Sequence, residues 1–168
     1  MIGGTWKLGC GLLACSFAAA VHAAPATKGK AAAKAQPELV KAKEIQWMEG
    51  PAELPKGAEF AVLHGDPKKA GPFTVRLKLP DGYKIPQHSH SRDEQLTIIS
   101  GTFKLHPGGD TSGEAHDLEA GDFHFLPAKM QHSAEASGET IVQINGAGPF
   151  DIHYTNAADR PNPKSARR

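Results

Sequence analysis

Histidine is the residue type that carries most chemistry in this sequence. His88-Ser89-His90 sets two imidazoles two residues apart, and alternate residues of a strand project from one face. Glu94 follows His90 by four positions, past Ser91-Arg92-Asp93, a stretch suited to a bend that returns a carboxylate to that face. His132 lies 42 residues after His90. If a neighbouring antiparallel strand carries it, all four side chains converge inside a barrel. Three neutral imidazoles and one carboxylate suit one borderline divalent transition metal per chain: iron, manganese, copper, nickel or zinc. Magnesium or calcium would favour more oxygen ligands. Four protein ligands leave two open positions on an octahedral ion, where oxygen or a chelating substrate can bind.

The elements that must position these residues read as strands. Phe73, Val75, Leu77 and Leu79 alternate with Thr74, Arg76 and Lys78, the period of two expected of a half-buried strand. Pro80-Asp81-Gly82 ends it. The apolar stretch Leu96 to Ile99 runs into Ser100-Gly101, and Phe103 to Leu105 starts the next strand. His106-Pro107-Gly108-Gly109-Asp110 is expected to be a turn. Ala120-Gly121-Asp122 introduces a strand over Phe123 to Leu126; Thr140 to Ile144 and Ile152 to Thr155 follow. No segment holds a helical period over three turns. The expectation is an all-β small barrel or sandwich.

The spacing also resembles a family. Gly82, five residues, His88-Ser89-His90, three residues, Glu94, six residues and Gly101 resemble the first motif of the cupin family at every fixed position. Gly121, Pro127 and His132 resemble part of the second motif. Lys129 stands where that motif has its second glycine, which questions the turn geometry, and Ala136 where it often has asparagine. The resemblance implies a single-domain jelly-roll barrel with His88, His90, Glu94 and His132 as metal ligands. It also implies metal-dependent dioxygenases, decarboxylases, isomerases and epimerases as reaction classes, and a homodimer as the assembly.

Composition bounds the rest. At 168 residues the chain predicts one domain, large enough for a core without disulfides. Nineteen Lys and Arg against 18 Asp and Glu leave a net charge of +1, unlike the strongly basic domains that bind nucleic acid. No apolar run in the folded part is long enough to span a membrane. Residues 1–23 carry one cation, Lys7, an uncharged run and Val21-His22-Ala23, and so read as an export signal cut after Ala23. Protein exported this way would be periplasmic or secreted. Leu12-Leu13-Ala14-Cys15 is the alternative of a lipid anchor, but the apolar run continues past the cysteine. Both cysteines, Cys10 and Cys15, lie in that segment, so the mature chain would have no thiolate ligand. Residues 24–44 read as a flexible Ala/Lys-rich arm, 45–156 as the barrel and 157–168 as a basic tail.

The preferred function is an exported metal-dependent oxygenase acting on a small organic molecule. Phe73, Val75, Ile98, Phe123 and Phe125 are expected to line the barrel and exclude water. Gln95, Glu135 and His106 are candidate acids or bases, and Arg92 could bind a substrate carboxylate. His64, His116, His124 and His153 are expected to do other work, with the direction of His124 open. The alternatives are a metal-loaded barrel that binds or senses a small ligand without turnover, or an isomerase or decarboxylase. No Gly-rich phosphate loop, Gly-x-Ser-x-Gly elbow or His-Glu-x-x-His helix accompanies them.

Overall fold

The computed structural model describes residues 36–108 and 114–161. The expected export segment, most of the arm and most of the basic tail lie outside the described residues. The chain divides into two units, Met1–Gln36 and Pro37–Arg168, and the strands of the described residues belong to the second. The strands are β1 (Met48–Glu49), β2 (Glu59–His64), β3 (Gly71–Leu79), β4 (Lys84–Ser89), β5 (Glu94–Pro107), β6 (His116–Glu119), β7 (Phe123–Leu126), β8 (His132–Gly148) and β9 (His153–Tyr154). Among the described residues there is no α-helix, only short 3-10 turns at Ala42–Glu44 and Ala157–Asp159. The all-β expectation holds.

Two long strands organise the fold. β8 runs 17 residues and β5 runs 14. Along one edge β8 pairs first with β4 and then with β3, while β5 takes its other edge over nearly its whole length. All of these pairings are antiparallel. β2 and β1 extend the sheet beyond β3, β9 extends it beyond β4, and β6 and β7 share the far edge of β5.

The alternation in β3 does what its sequence predicts. Phe73, Val75, Leu77 and Leu79 are buried, while Thr74, Arg76 and Lys78 stay half-buried on the other face. They join Leu96, Ile98, Phe103, Leu105, Val142 and Ile144 in one core. Leu79 and Leu105 are fully buried, and each such side chain contributes about 1.5–3 kcal/mol relative to exposure.

Three expectations need correction. Ser100-Gly101 does not separate two strands, because β5 passes through with shifts of register between Ile98 and Thr102. Gly101 makes this possible at φ +78°, and a Cβ there would lie 2.5 Å from the Glu139 carbonyl and from Thr140 Oγ1. His106 and Pro107 belong to β5 rather than to a turn, since they remain opposite Ser133 and His132; Gly109 and Asp110 lie outside the described residues. Phe123 and Phe125 do not line the barrel. They sit opposite Thr97 and Gln95 on the outer face and are exposed by 59% and 47%. His124 and Leu126 take the inward positions of β7, because the period of two allows only one alternate set to face the core.

Lys129 answers the question raised by its position. It adopts φ +67°, the left-handed region that glycine occupies freely and a side chain disfavours by about 1–2 kcal/mol. Its backbone N–H donates to the His90 carbonyl at 2.8 Å, so the turn geometry is kept despite the missing glycine. Lys129→Gly should therefore stabilise the protein by about 0.5–1 kcal/mol after the added chain entropy of glycine is set against the relieved strain. Thermal unfolding would show a rise of a few degrees; an unchanged or lower midpoint would contradict the strain.

Candidate metal centre

The four residues come together from three places. His88 lies in β4, His90 directly follows that strand, Glu94 opens β5 and His132 opens β8. His88 pairs directly with His132 across the antiparallel β4–β8 ladder. Ser91 and Arg92 form the expected bend. It is fixed from outside, where Asp93 Oδ1 accepts the Ala128 N–H at 2.8 Å and the His90 carbonyl accepts that of Lys129. His88, His90, Glu94 and His132 retain only 4%, 7%, 4% and 3% of their exposure.

The orientation of the imidazoles points to metal ligation. His88 Nδ1–H donates to the Pro86 carbonyl at 2.7 Å, and His132 Nδ1–H to that of Met130 at 3.1 Å. His90 Nδ1–H donates to the Asp151 carbonyl. A proton held on Nδ1 leaves the Nε2 lone pair free, the arrangement that metal-bound histidines use. His90 Nε2 is buried with no hydrogen-bond partner. Glu94 Oε2 lies 3.3 Å from His90 Nε2 and 3.4 Å from His132 Nε2. Two ligands each about 2.1 Å from one ion lie roughly 3.0–3.4 Å apart. Among the described residues, His88, His90 and His132 form the group of ligand atoms, all within 4.8 Å of one another, that could hold a metal ion.

Charge in the centre is set by burial and by these neighbours. Desolvation, with His132 and His90 adding, pushes the His88 pKa down to about 3, which keeps that ring neutral. Burial disfavours ionisation of Glu94, but His132 and His90 outweigh it and hold the carboxyl well below its ordinary range. Burial also works against a charged His90, yet the Glu94 carboxylate prevails and raises its pKa. An incoming divalent ion would displace any proton on the imidazoles and take over as the partner of Glu94.

The centre faces a cavity of about 60 Å³ with an otherwise apolar wall, including Leu77, Ile85, Leu96, Val142, Ile144 and Phe150. None of the sequence candidates for acid–base work reaches it. Gln95 is exposed on the outer face of β5, Glu135 pairs with Lys84 at 3.2 Å, and His106 is half-buried outside the cavity wall. Each sits on the outward alternate set of its strand. Arg92 is exposed on the bend. Phe73, Val75 and Ile98 are buried in the core but lie outside the cavity wall.

The remaining histidines are placed elsewhere. His64 Nδ1 meets the Glu38 carboxylate at 2.7 Å on the surface. His153 Nε2 lies 3.0 Å from Asp151 Oδ2 and 3.1 Å from Ser91 Oγ. His116 and His124 have ring centroids 6.1 Å apart. His124 takes the inward direction, opposite Leu96, and burial with His116 nearby lowers its pKa.

Sequence reasoning missed Phe150 and Asp151. The Phe150 ring stacks on His90 with centroids 4.4 Å apart and planes at 20°. The Asp151 carbonyl holds His90 Nδ1, while its carboxylate accepts the Ser91 N–H at 2.8 Å. No signal in the sequence identifies a backbone carbonyl as the partner of a histidine 61 positions away.

Residues 35–151 match the family model described as the ChrR cupin-like domain. None of the curated protein sequences matches the chain significantly. Among solved structures, the polyketide cyclase RemF from Streptomyces resistomycificus is similar with a TM-score of 0.59 at 12% identity, over 75% of this chain and 90% of that one. KdgF from Halomonas sp. gives 0.54 at 17% identity, over 67% and 96%. An RmlC-like cupin from Shewanella frigidimarina gives 0.53 at 15%, over 67% and 91%. At these identities the likeness speaks for the shared fold.

Proposed function

The chain belongs to the ChrR cupin-like domain family, and from that premise we propose that it is a metal-dependent oxygenase-type enzyme acting on a small organic molecule. His88, His90, Glu94 and His132 are its metal ligands. The observation that carries this reading is the cavity itself, where, among the described residues, these four are the only ionisable side chains in an apolar wall. Such an ion, when bound, supplies Lewis acidity and, for iron, manganese or copper, electron transfer to dioxygen.

The protein's own residues hold and tune that site. Three backbone carbonyls fix the imidazole directions, Glu94 supplies negative charge, and the apolar wall excludes bulk water. Among the described residues no further acid or base lines the cavity, so proton abstraction has no acceptor there beyond the ligands. That favours oxygen chemistry over the isomerase alternative. The narrowness of the cavity favours a second reading, a metal-loaded barrel that captures a small ligand without turnover. Oxygen uptake by the iron-, manganese- or copper-loaded protein, screened against diketones and carboxylates of a few atoms, separates the two. The expected result is substrate-dependent uptake at least about tenfold above His132→Ala; saturable ligand binding without uptake would contradict the enzyme and leave the binding module.

The homodimer belongs to the same proposal. Phe123, Phe125 and Ile99 are exposed together on the outer face of β7 and β5. The side chains beside them are Gln95, Thr97, Gln143 and Asn145, all uncharged, with Arg76 next across the sheet and bonded to Gln143 Oε1, so a second copy could meet the β7 and β5 part of this face across a two-fold axis. Light scattering should give twice the chain mass, halved by Phe123→Lys with Phe125→Lys; a wild-type monomer would contradict it. Intact mass of the same sample, taken from the native source, reads the proposed export step, which predicts Ala24 as the first residue.

A further inference from the structure

The wall of the metal cavity is uneven in one respect. Of the side chains that line it, twelve are buried and Phe150 alone is half-buried. Phe150 is therefore the lining side chain that reaches furthest toward solvent. It is also held in place from several sides. One face of its ring stacks on His90, and Phe73 packs against it at 5.2 Å and 60°. Phe73 is itself wedged, since a Cβ on Gly146 would lie 3.0 Å from its ring. The Phe150 N–H donates to the Pro67 carbonyl at 2.8 Å. Two residues earlier, Gly148 packs so closely that a Cβ would lie 2.1 Å from the Lys69 carbonyl. The segment that carries the ring is pinned to the 66–69 turn, and the ring is pinned to a candidate ligand.

We propose that Phe150 sets a size limit at the metal, admitting ligands of a few atoms and excluding those that carry a ring. The inference rests on the metal reading above and deepens it by naming what the site accepts. The volume decides the class. About 60 Å³ accommodates an ion with a few water-sized ligands, whereas an apolar cavity that holds benzene measures roughly 150 Å³. A ring-bearing substrate would bind at the metal only by displacing Phe150 from His90 and Phe73.

The test compares formate with benzoate, which share a carboxylate and differ by one ring. Wild-type protein, Phe150→Ala and Phe150→Leu are loaded with cobalt(II), and metal content is measured before any ligand is added. Titration is then followed in the visible absorption of the cobalt. Wild type should bind formate at least about tenfold more tightly than benzoate. Phe150→Ala should reduce that ratio to near one by tightening benzoate, and Phe150→Leu should fall between. The leucine variant keeps an apolar side chain against Phe73 and serves if the alanine variant does not fold. A ratio near one in wild type, or a ratio that neither variant changes, overturns the size limit alone. Failure of all three proteins to take up cobalt overturns it together with the metal reading.

Discussion

Everything in this protein's candidate site depends on where three protons are held. Each imidazole of His88, His90 and His132 gives its Nδ1–H to a backbone carbonyl. That fixes the ring's direction and turns its Nε2 lone pair toward the other two. Buried lone pairs facing one another are unfavourable unless something positive lies between them. Glu94 brings the opposite charge to the same point, within 3.4 Å of two of those nitrogens. A water-accessible site could relax by rotating its side chains, but these are buried to a few per cent and hydrogen-bonded from behind. A divalent ion is the species whose charge and coordination preferences match this donor set.

The fold supplies this constraint through strand ends rather than through a dedicated loop. β4 ends at His88 and Ser89, β5 begins at Glu94 and β8 begins at His132; His88 and His132 meet by direct pairing, and Glu94 joins them from across the interior. The β5–β8 ladder sets Glu94 opposite Gly146 and His132 opposite Pro107, at its two ends, so Glu94 reaches His132 across the interior from the bend at Ser91 and Arg92 rather than along the sheet. The outward alternate positions of the same strands carry the polar side chains, Gln95 and Glu135 among them. That segregation leaves the cavity wall apolar apart from His88, His90, Glu94 and His132.

Much of this was legible in the sequence, for reasons that differ by residue. His88, His90 and Glu94 are close in the chain, so strand periodicity and one bend suffice to bring them together. His132 needed the framing glycines and the expectation of an antiparallel neighbour. The alternation in β3 was plain because each inward residue is large and each outward one polar. β7 was misread because Phe123 and Phe125 are the more apolar set yet face outward, while His124 faces in; hydrophobicity names the two faces of a four-residue strand but not which one the sheet buries. The break expected at Ser100-Gly101 failed because a glycine with positive φ can bend a strand without ending it. Lys129 hid a left-handed turn behind a residue that rarely adopts one. Phe150 and the carbonyl of Asp151 were invisible because their role comes from contacts with His90 across 60 or so residues of chain.

The most direct test of the account is the metal content of the protein isolated from its native source, beside His132→Ala and Glu94→Gln, by elemental analysis. The account predicts close to one equivalent of a single transition metal in the wild type. It predicts near-complete loss in His132→Ala and a clear reduction in Glu94→Gln, with both variants still folded by circular dichroism. Wild-type protein that is folded but carries no transition metal, or a His132→Ala variant that retains the full equivalent, would contradict it.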